Sequence, residues 1–279
     1  MQVKAKKHLG QNFLKDDAIL ERIVESAQIS STDVVVEIGP GTGLLTKVLS
    51  GKAERVISLE VDSDLMPSLL KQFPLSSNVS IIHQDILKAD LMEIINSSSN
   101  FTPPPTPSSS KEGRNSYKVV ANIPYYITAP IIQYLLELPV PPKMIVLMIQ
   151  KEVAERITAK VGDMSILAVS VQYYADPELL FMVSKNAFDP VPKVDSAVVR
   201  IIPRRTFNKE QDKLFFRVVK TGFSARRKTL INNLSSGFHL SKEDVAQKLA
   251  QIGLDANIRA QALSIDDWKR LVKVIYTEI

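Results

Sequence analysis

Residues 33–43 read Asp-Val-Val-Val-Glu-Ile-Gly-Pro-Gly-Thr-Gly. A short β-branched run that breaks at a glycine is the signature of a buried parallel strand. The glycines that follow let the backbone turn tightly and approach a ligand that a Cβ would block. Further runs of this kind stand at 55–60 (RVISLE), 79–83 (VSIIH), 118–122 (KVVAN) and 144–150 (MIVLMIQ), with helix-like segments at 42–50, 64–72, 130–137 and 152–159 between or after them. Ahead of the first strand, Ile19, Ile23, Val24 and Ala27 in segment 16–28 repeat on one helix face. Strand and helix alternating at this pitch specify right-handed crossovers and an α/β, Rossmann-like, doubly wound sheet. Ligands of such sheets bind outside the carboxyl ends of the strands.

The texture changes twice. Residues 97–116 are dominated by serine and proline with no apolar period, which predicts a flexible, functionally neutral surface insertion. After about residue 206 the pattern is helical only, at 209–222, 225–234, 241–252 and 265–277, and Ser241 with Glu243 and Asp244 reads as a helix cap with an acidic first turn. The expected division is therefore 1–205 for the α/β domain and 206–279 for a small all-helical one.

Composition narrows the chemistry. The chain has no cysteine, so thiolate metal sites and cysteine nucleophiles are excluded, and His8, His83 and His239 are scattered singly, so no metal is expected. No apolar run reaches the length of a signal peptide core or a membrane span, so a protein without membrane association, in the cytoplasm, is expected. The net charge of +5 is concentrated. Lys4, Lys6, Lys7 and Lys15 precede the first acid, and Arg200, Arg204, Arg205, Lys209, Lys213, Arg217, Lys220, Arg226, Arg227 and Lys228 are interrupted only by Glu210 and Asp212. Two basic clusters of this kind suit a nucleic acid, and equally an ordinary solvated surface.

The glycine loop Glu37–Gly43 has its third glycine one position earlier than a dinucleotide fingerprint, where this chain has Leu44. That spacing suits a ligand without pyrophosphate, with an amino-acid part near the glycines; by itself the loop is also compatible with a structural turn. Glu60 ends the second strand, where a carboxylate can accept both hydroxyls of a ribose, and Asp85 follows the third, where an acid can bind an adenine amino group. No phosphate-binding Gly-Lys loop is present, so nucleotide hydrolysis has no support. At the end of the fourth strand stands Asn122-Ile123-Pro124-Tyr125. Proline biases Ile123 to an extended conformation, which directs its carbonyl and the Asn122 side chain to the cleft. Two acceptors there can grip the N–H groups of an aromatic amine, and the Tyr125 ring can stack on its base.

Taken with KKHLGQNFL (6–14), NAFDPVPKVDSAVV (186–199) and GFSARRKTLINNL (222–234), these motifs resemble the small-subunit rRNA adenine dimethyltransferases of the KsgA type over nearly the whole chain. The resemblance implies S-adenosyl-L-methionine as cofactor, with Asn12, Leu14, Gly39, Glu60, Asp85 and Asn122 lining its pocket. It implies Asn122 and Tyr125 at the target base, with Phe188 stacking from the opposite side. It implies dimethylation at N6 of two adjacent adenosines in the 3′-terminal hairpin loop of small-subunit rRNA, by a monomer acting on the pre-small ribosomal subunit during its biogenesis. The insertion at 97–116 is longer than the family carries there. The Erm type, which acts on large-subunit rRNA, shares the glycine and NIPY motifs; Asp195 and the GFSARRKTL segment stand against it. A DNA adenine or protein glutamine methyltransferase would carry a second proline in place of Ile123. A ribosome-assembly factor with incidental methylation needs the same RNA surface and is not separated by sequence.

Overall fold

The computed structural model describes residues 5–6, 9–97, 116–204 and 207–276; Lys4, Lys7, His8, Arg205 and all but the ends of the 97–116 insertion lie outside the described residues. The chain divides into two compact units, Met1–Ala154 with Asp176–Arg204, and Glu155–Ala175 with Arg205–Ile279.

The first unit is built in chain order from β1 (Phe13–Leu14), α1 (Asp17–Ser26), β2 (Val34–Ile38), α2 (Leu44–Ser50), β3 (Arg55–Glu60), α3 (Met66–Gln72), β4 (Val79–His83), α4 (Leu91–Ser97), β5 (Tyr117–Asn122), α5 (Thr128–Leu136) and β6 (Met144–Gln150). Beyond α6 (Lys151–Ile157), which crosses the division, and α7 (Ile166–Tyr174) of the second unit come β7 (Ala175–Val183), β8 (Phe188–Asp189) and β9 (Ser196–Pro203). The main sheet runs β4-β3-β2-β5-β6-β9-β7, and β1 with β8 makes a separate two-stranded ribbon. Strands β4 to β6 are mutually parallel, and β9 returns antiparallel to β6. Strand order reverses between β2 and β5, the crevice where ligands of open α/β sheets bind. The buried faces of α1 (Leu20, Ile23, Val24) and α2 (Leu45, Leu49) join Val35, Val56, Val120, Val146 and Val198 from the sheet in one apolar cluster.

The five parallel strands follow the sequence reading closely. The antiparallel β9, its neighbour β7, the ribbon and α7 have no counterpart in the sequence reading. Because α7 is apolar on nearly every side, it shows no helical period, and its partners settle its place: Tyr173 and Tyr174 donate to the buried Asp212 carboxylate at 2.9 Å each, and the Tyr173 ring stacks on Phe215 at 3.8 Å. Residues 155–175 therefore go with the helical unit, a departure from the expected division at 205/206.

That unit is otherwise α8 (Lys209–Gly222), α9 (Leu230–Phe238), α10 (Lys242–Gln251) and α11 (Ile265–Tyr276). Trp268 of α11 is wholly buried and stacks on Phe223, and a Cβ at Gly222 would lie 2.5 Å from its ring. Helix α10 opens on a reciprocal capping box between Ser241 and Asp244. The helix expected at 225–234 starts only at Leu230. Residues 225–228 form a turn held by Asn233, whose Nδ2 donates to the carbonyls of Gly222 (2.6 Å) and Ala225 (3.2 Å), and this puts Arg226, Arg227 and Lys228 on an exposed turn, not on a helix face.

Candidate active site

An open cleft lies at the carboxyl ends of β2, β3 and β5. All of Asn12, Leu14, Gly39, Glu60, Asp85, Asn122, Tyr125 and Phe188 line it. They arrive from six separate places in the sequence: the parallel strands deliver Gly39, Glu60, Asp85, Asn122 and Tyr125 to one edge, and the β1–β8 ribbon brings Leu14 and Phe188 there.

The glycine loop leaves β2 with positive φ at Gly39 (69°) and Gly41 (58°), conformations that disfavour any side chain. A Cβ on Gly41 would also press on the Phe13 ring at 3.1 Å, whereas at Gly39 nothing lies within 4 Å, so the space before it stays open for a ligand. Glu60 at the end of β3 is nearly buried, and its oxygens accept from the backbone N–H groups of Gly41 (3.1 Å) and Asp62 (2.8 Å). Burial raises its carboxyl above the ordinary value against those bonds, and each oxygen keeps a lone pair for a further donor. Asp85 spends Oδ1 on the backbone N–H of Leu87 (3.0 Å), which caps the following turn and leaves Oδ2 toward solvent and the Lys88 ammonium at 3.8 Å.

Glu37, the first residue of the glycine motif, also lines the cleft. It is 1% exposed; Oε2 accepts from Thr46 (2.6 Å) and Ser58 (2.7 Å), while Oε1 has no partner. Burial pushes its carboxyl up to about 7, opposed by those two hydroxyls and reinforced by the Glu60 charge. A buried, unpartnered carboxylate oxygen beside an open glycine cradle fits a ligand with a cationic amino-acid end, and Glu60 fits a ribose next to it.

Asn122 donates Nδ2 to the Asn12 carbonyl at 3.5 Å, which turns its Oδ1 away from Asn12 as an acceptor. The Pro124 carbonyl is taken by Ile127 N–H (3.3 Å), leaving the Ile123 carbonyl as the other acceptor of the motif. Tyr125 bonds through its hydroxyl to Ser196 at 2.8 Å. Phe188 pairs with Leu14 across the β1–β8 ribbon and is only 4% exposed, so it is at once cleft wall and core.

The amino-terminal segment closes over the cleft and is tied down there. Lys6 Nζ lies 2.6 Å from both Asp62 and Asp64, and Gln11 Nε2 donates to Asp62 at 2.8 Å while its Oε1 accepts from Lys6 N–H. Burial would raise the Asp62 carboxyl, but the bonds from Lys6, Gln11 and Asp64 N–H hold it below the ordinary value. Lys6, one of the first basic cluster, is thus held by two carboxylates, and Lys15 is paired with Asp189. In the second basic cluster, Arg200 and Arg204 are likewise paired, with Glu178 and Asp176, and Asp212 is buried against the two tyrosines, so it is not a surface counter-charge. Among the described residues no group of three or more His, Asp or Glu side chains could hold a metal, and none of the helices is long and apolar enough to cross a membrane.

A Rossmann-like sheet reversed at β2/β5, a three-glycine loop, an acid ending the neighbouring strand and Asn-Ile-Pro-Tyr at the end of β5 accompany the S-adenosylmethionine-dependent methyltransferase class to which the chain belongs. The ribosomal RNA adenine dimethylase family profile matches residues 2–277. Similar chains include the ribosomal RNA small subunit methyltransferase A of Alkaliphilus metalliredigens, 43% identical over 96% of this chain and 91% of that one, and that of Dehalococcoides mccartyi, 41% identical over 96% and 88%. Among solved structures, a dimethyladenosine transferase from Plasmodium falciparum (27% identity, TM-score 0.73) covers 93% of this chain and 95% of that one; the 23S rRNA methyltransferase ErmE (27%, 0.70) covers 94% and 99%. The chain belongs to the ribosomal RNA adenine dimethylase family, and is an rRNA adenine dimethyltransferase.

Proposed function

We propose that the chain dimethylates N6 of two adjacent adenosines in the 3′-terminal hairpin loop of small-subunit rRNA, working as a monomer on the pre-small subunit in the cytoplasm. One observation carries the reading: the glycine loop and Asn122-Ile123-Pro124-Tyr125 open on the same cleft. The small-subunit assignment is supported by relatives 40–43% identical to this chain, against 27% for ErmE.

When bound, S-adenosylmethionine supplies an electrophilic methyl group on a sulfonium. Glu37 and Gly39 hold the amino-acid end, Glu60 accepts the ribose hydroxyls, and Asp85 takes the adenine amino group, while Asn12 and Leu14 cover the pocket from the amino-terminal segment. The target amine is a poor nucleophile because its lone pair is delocalised into the ring. Asn122 Oδ1 and the Ile123 carbonyl accept its N–H groups, draw the nitrogen towards tetrahedral geometry and aim the lone pair in line. Such alignment supplies much of the catalysis, and no strong base is needed because the methylated cationic amine loses its proton readily. Tyr125 and Phe188 sandwich the base, each stack contributing about 1–3 kcal/mol. A loop adenosine suits the cleft because extruding an unpaired base costs least. The helical unit, with Arg226, Arg227 and Lys228 exposed, supplies RNA contacts.

The test is methyl-labelled cofactor with under-methylated small subunits. Label is expected at N6 of adenosine in small-subunit rRNA, and Asn122→Ala is expected to reduce it on the order of 100-fold or more. Label confined to large-subunit rRNA would establish the Erm-type alternative. If Asn122→Ala still rescues assembly defects, binding is the primary role.

A further inference from the structure

Asp195 and Ser196 are adjacent at the start of β9, and each reaches a different wall of the cleft. The buried Ser196 shares a 2.8 Å hydrogen bond with the Tyr125 hydroxyl, across 71 residues of sequence. Asp195 Oδ1 accepts from Lys185 N–H at 3.0 Å. Lys185 opens the single turn Lys185–Ala187 that delivers Phe188, and the same turn is closed by Ser184, whose carbonyl accepts from Ala187 N–H at 3.0 Å. The dipeptide itself does not give way. The Asp195 carbonyl accepts from Lys151 N–H at 3.1 Å, and Ser196 faces Gln150 in the β6–β9 register.

We propose that Asp195 and Ser196 are positioning residues for methyl transfer, which together fix the spacing and tilt of the Tyr125 and Phe188 rings on either side of the target base. The proposal rests on the stacking roles given to those rings above. A base between two rings needs walls about 7 Å apart, twice the optimal carbon–carbon separation of about 3.5 Å. A tyrosine held only by its Cβ can swing about two side-chain angles; one also pinned at its hydroxyl cannot. Phe188 is steadied from the other side by β1. Both pins originate on one rigid strand, so the slot has a single reference frame. Loosening either pin leaves the cofactor pocket intact and misaligns the amine, an effect on kcat and not on cofactor affinity.

The test uses the full chain with small-subunit rRNA as acceptor, and S-adenosylhomocysteine titration as the measure of the cofactor pocket. Ser196→Ala and Tyr125→Phe each delete one end of the same hydrogen bond. Each is expected to lower kcat by up to about 10-fold, the worth of one such bond, with S-adenosylhomocysteine affinity within about twofold of the parent. The double variant should be no slower than the slower single. Additive losses, unchanged rates in both singles, or parallel loss of S-adenosylhomocysteine binding would overturn the Ser196 pin. Asp195 is exposed, so its variants avoid core damage. Asp195→Asn keeps the acceptor oxygen and should retain activity, whereas Asp195→Ala should lose kcat comparably to Ser196→Ala; equal behaviour of Asn and Ala overturns the Asp195 pin. Tyr125→Ala and Phe188→Ala separate the two levels. If both remain fully active, the stacking roles themselves fail; if they lose activity while Ser196→Ala and Asp195→Ala do not, only the positioning proposal fails.

Discussion

Glu37 sits where a sheet centre ordinarily holds a valine, flanked by Ser58 on β3 and Val120 on β5. Its folded-state value of about 7 exceeds the ordinary 4.5, so the folded protein binds that proton more tightly than the unfolded chain does. The stability it contributes is complete below the unfolded value and is lost as pH rises through the folded one, with the neighbouring Glu60 carboxylate as the other charge facing it. Glu37→Gln removes the titration but keeps an acceptor for Thr46 and Ser58. In thermal melts of the protein without cofactor, the variant should match the parent near pH 4.5 and exceed it at pH 8; a lower midpoint at pH 8 would mean the carboxylate is paired when ionised. The same variant should bind S-adenosylhomocysteine more weakly at pH 8, where the lost charge counts. At this scale the sequence was informative about which residues meet: the eight named for the pocket and the base all line one cleft; those at the ends of parallel strands converge by topology alone, whereas Leu14 and Phe188 are brought there by the β1–β8 ribbon. Ser196 and Asp62 were not legible, since a hydroxyl or carboxylate bonded to a residue tens of positions away leaves no local trace.

Under the proposed reading, the amino-terminal strap is the element on which cofactor retention depends. Residues 9–14 line the cleft, and Asp62, 2% exposed in its side chain, is the common acceptor for Lys6 and Gln11. Asp62→Ala should therefore raise cofactor KM, by about 10-fold if the 1.5 kcal/mol of a charge-assisted bond is lost, with a smaller change in kcat measured at saturating cofactor. A kcat loss without a KM change would show that the strap acts on the base instead. Elements with a clear period or a β-branched run, β2 to β6 and most helices, could be read from sequence. Those without could not: β7 carries Asp176, Pro177 and Glu178 within its first residues, α7 is apolar all round, and the β1–β8 ribbon is two residues wide. The strand that anchors the slot, β9, was seen as a motif and not as a strand.

Across the whole chain, the +5 charge proves less concentrated than its linear order suggested, because Lys6, Lys15, Arg200 and Arg204 are each occupied by carboxylates. Of the GFSARRKTL motif, Ser224 and the three cations Arg226, Arg227 and Lys228 are exposed. Replacing all three by glutamine should weaken rRNA binding and flatten the plot of log affinity against log salt by about one unit of slope per lost phosphate contact, while S-adenosylhomocysteine binding is unchanged. An unaltered slope would move the RNA contact elsewhere.

Trp268 gives the molecule one more property. It is the only tryptophan in the chain, and it lies sealed inside the helical unit against Phe223. Indole emission thus speaks for that unit alone and is silent about the cleft, so a fluorescence melt can report an intact protein while the catalytic half has already come apart. Agreement between that signal and one from the sheet is the condition for treating the chain as a single cooperative body.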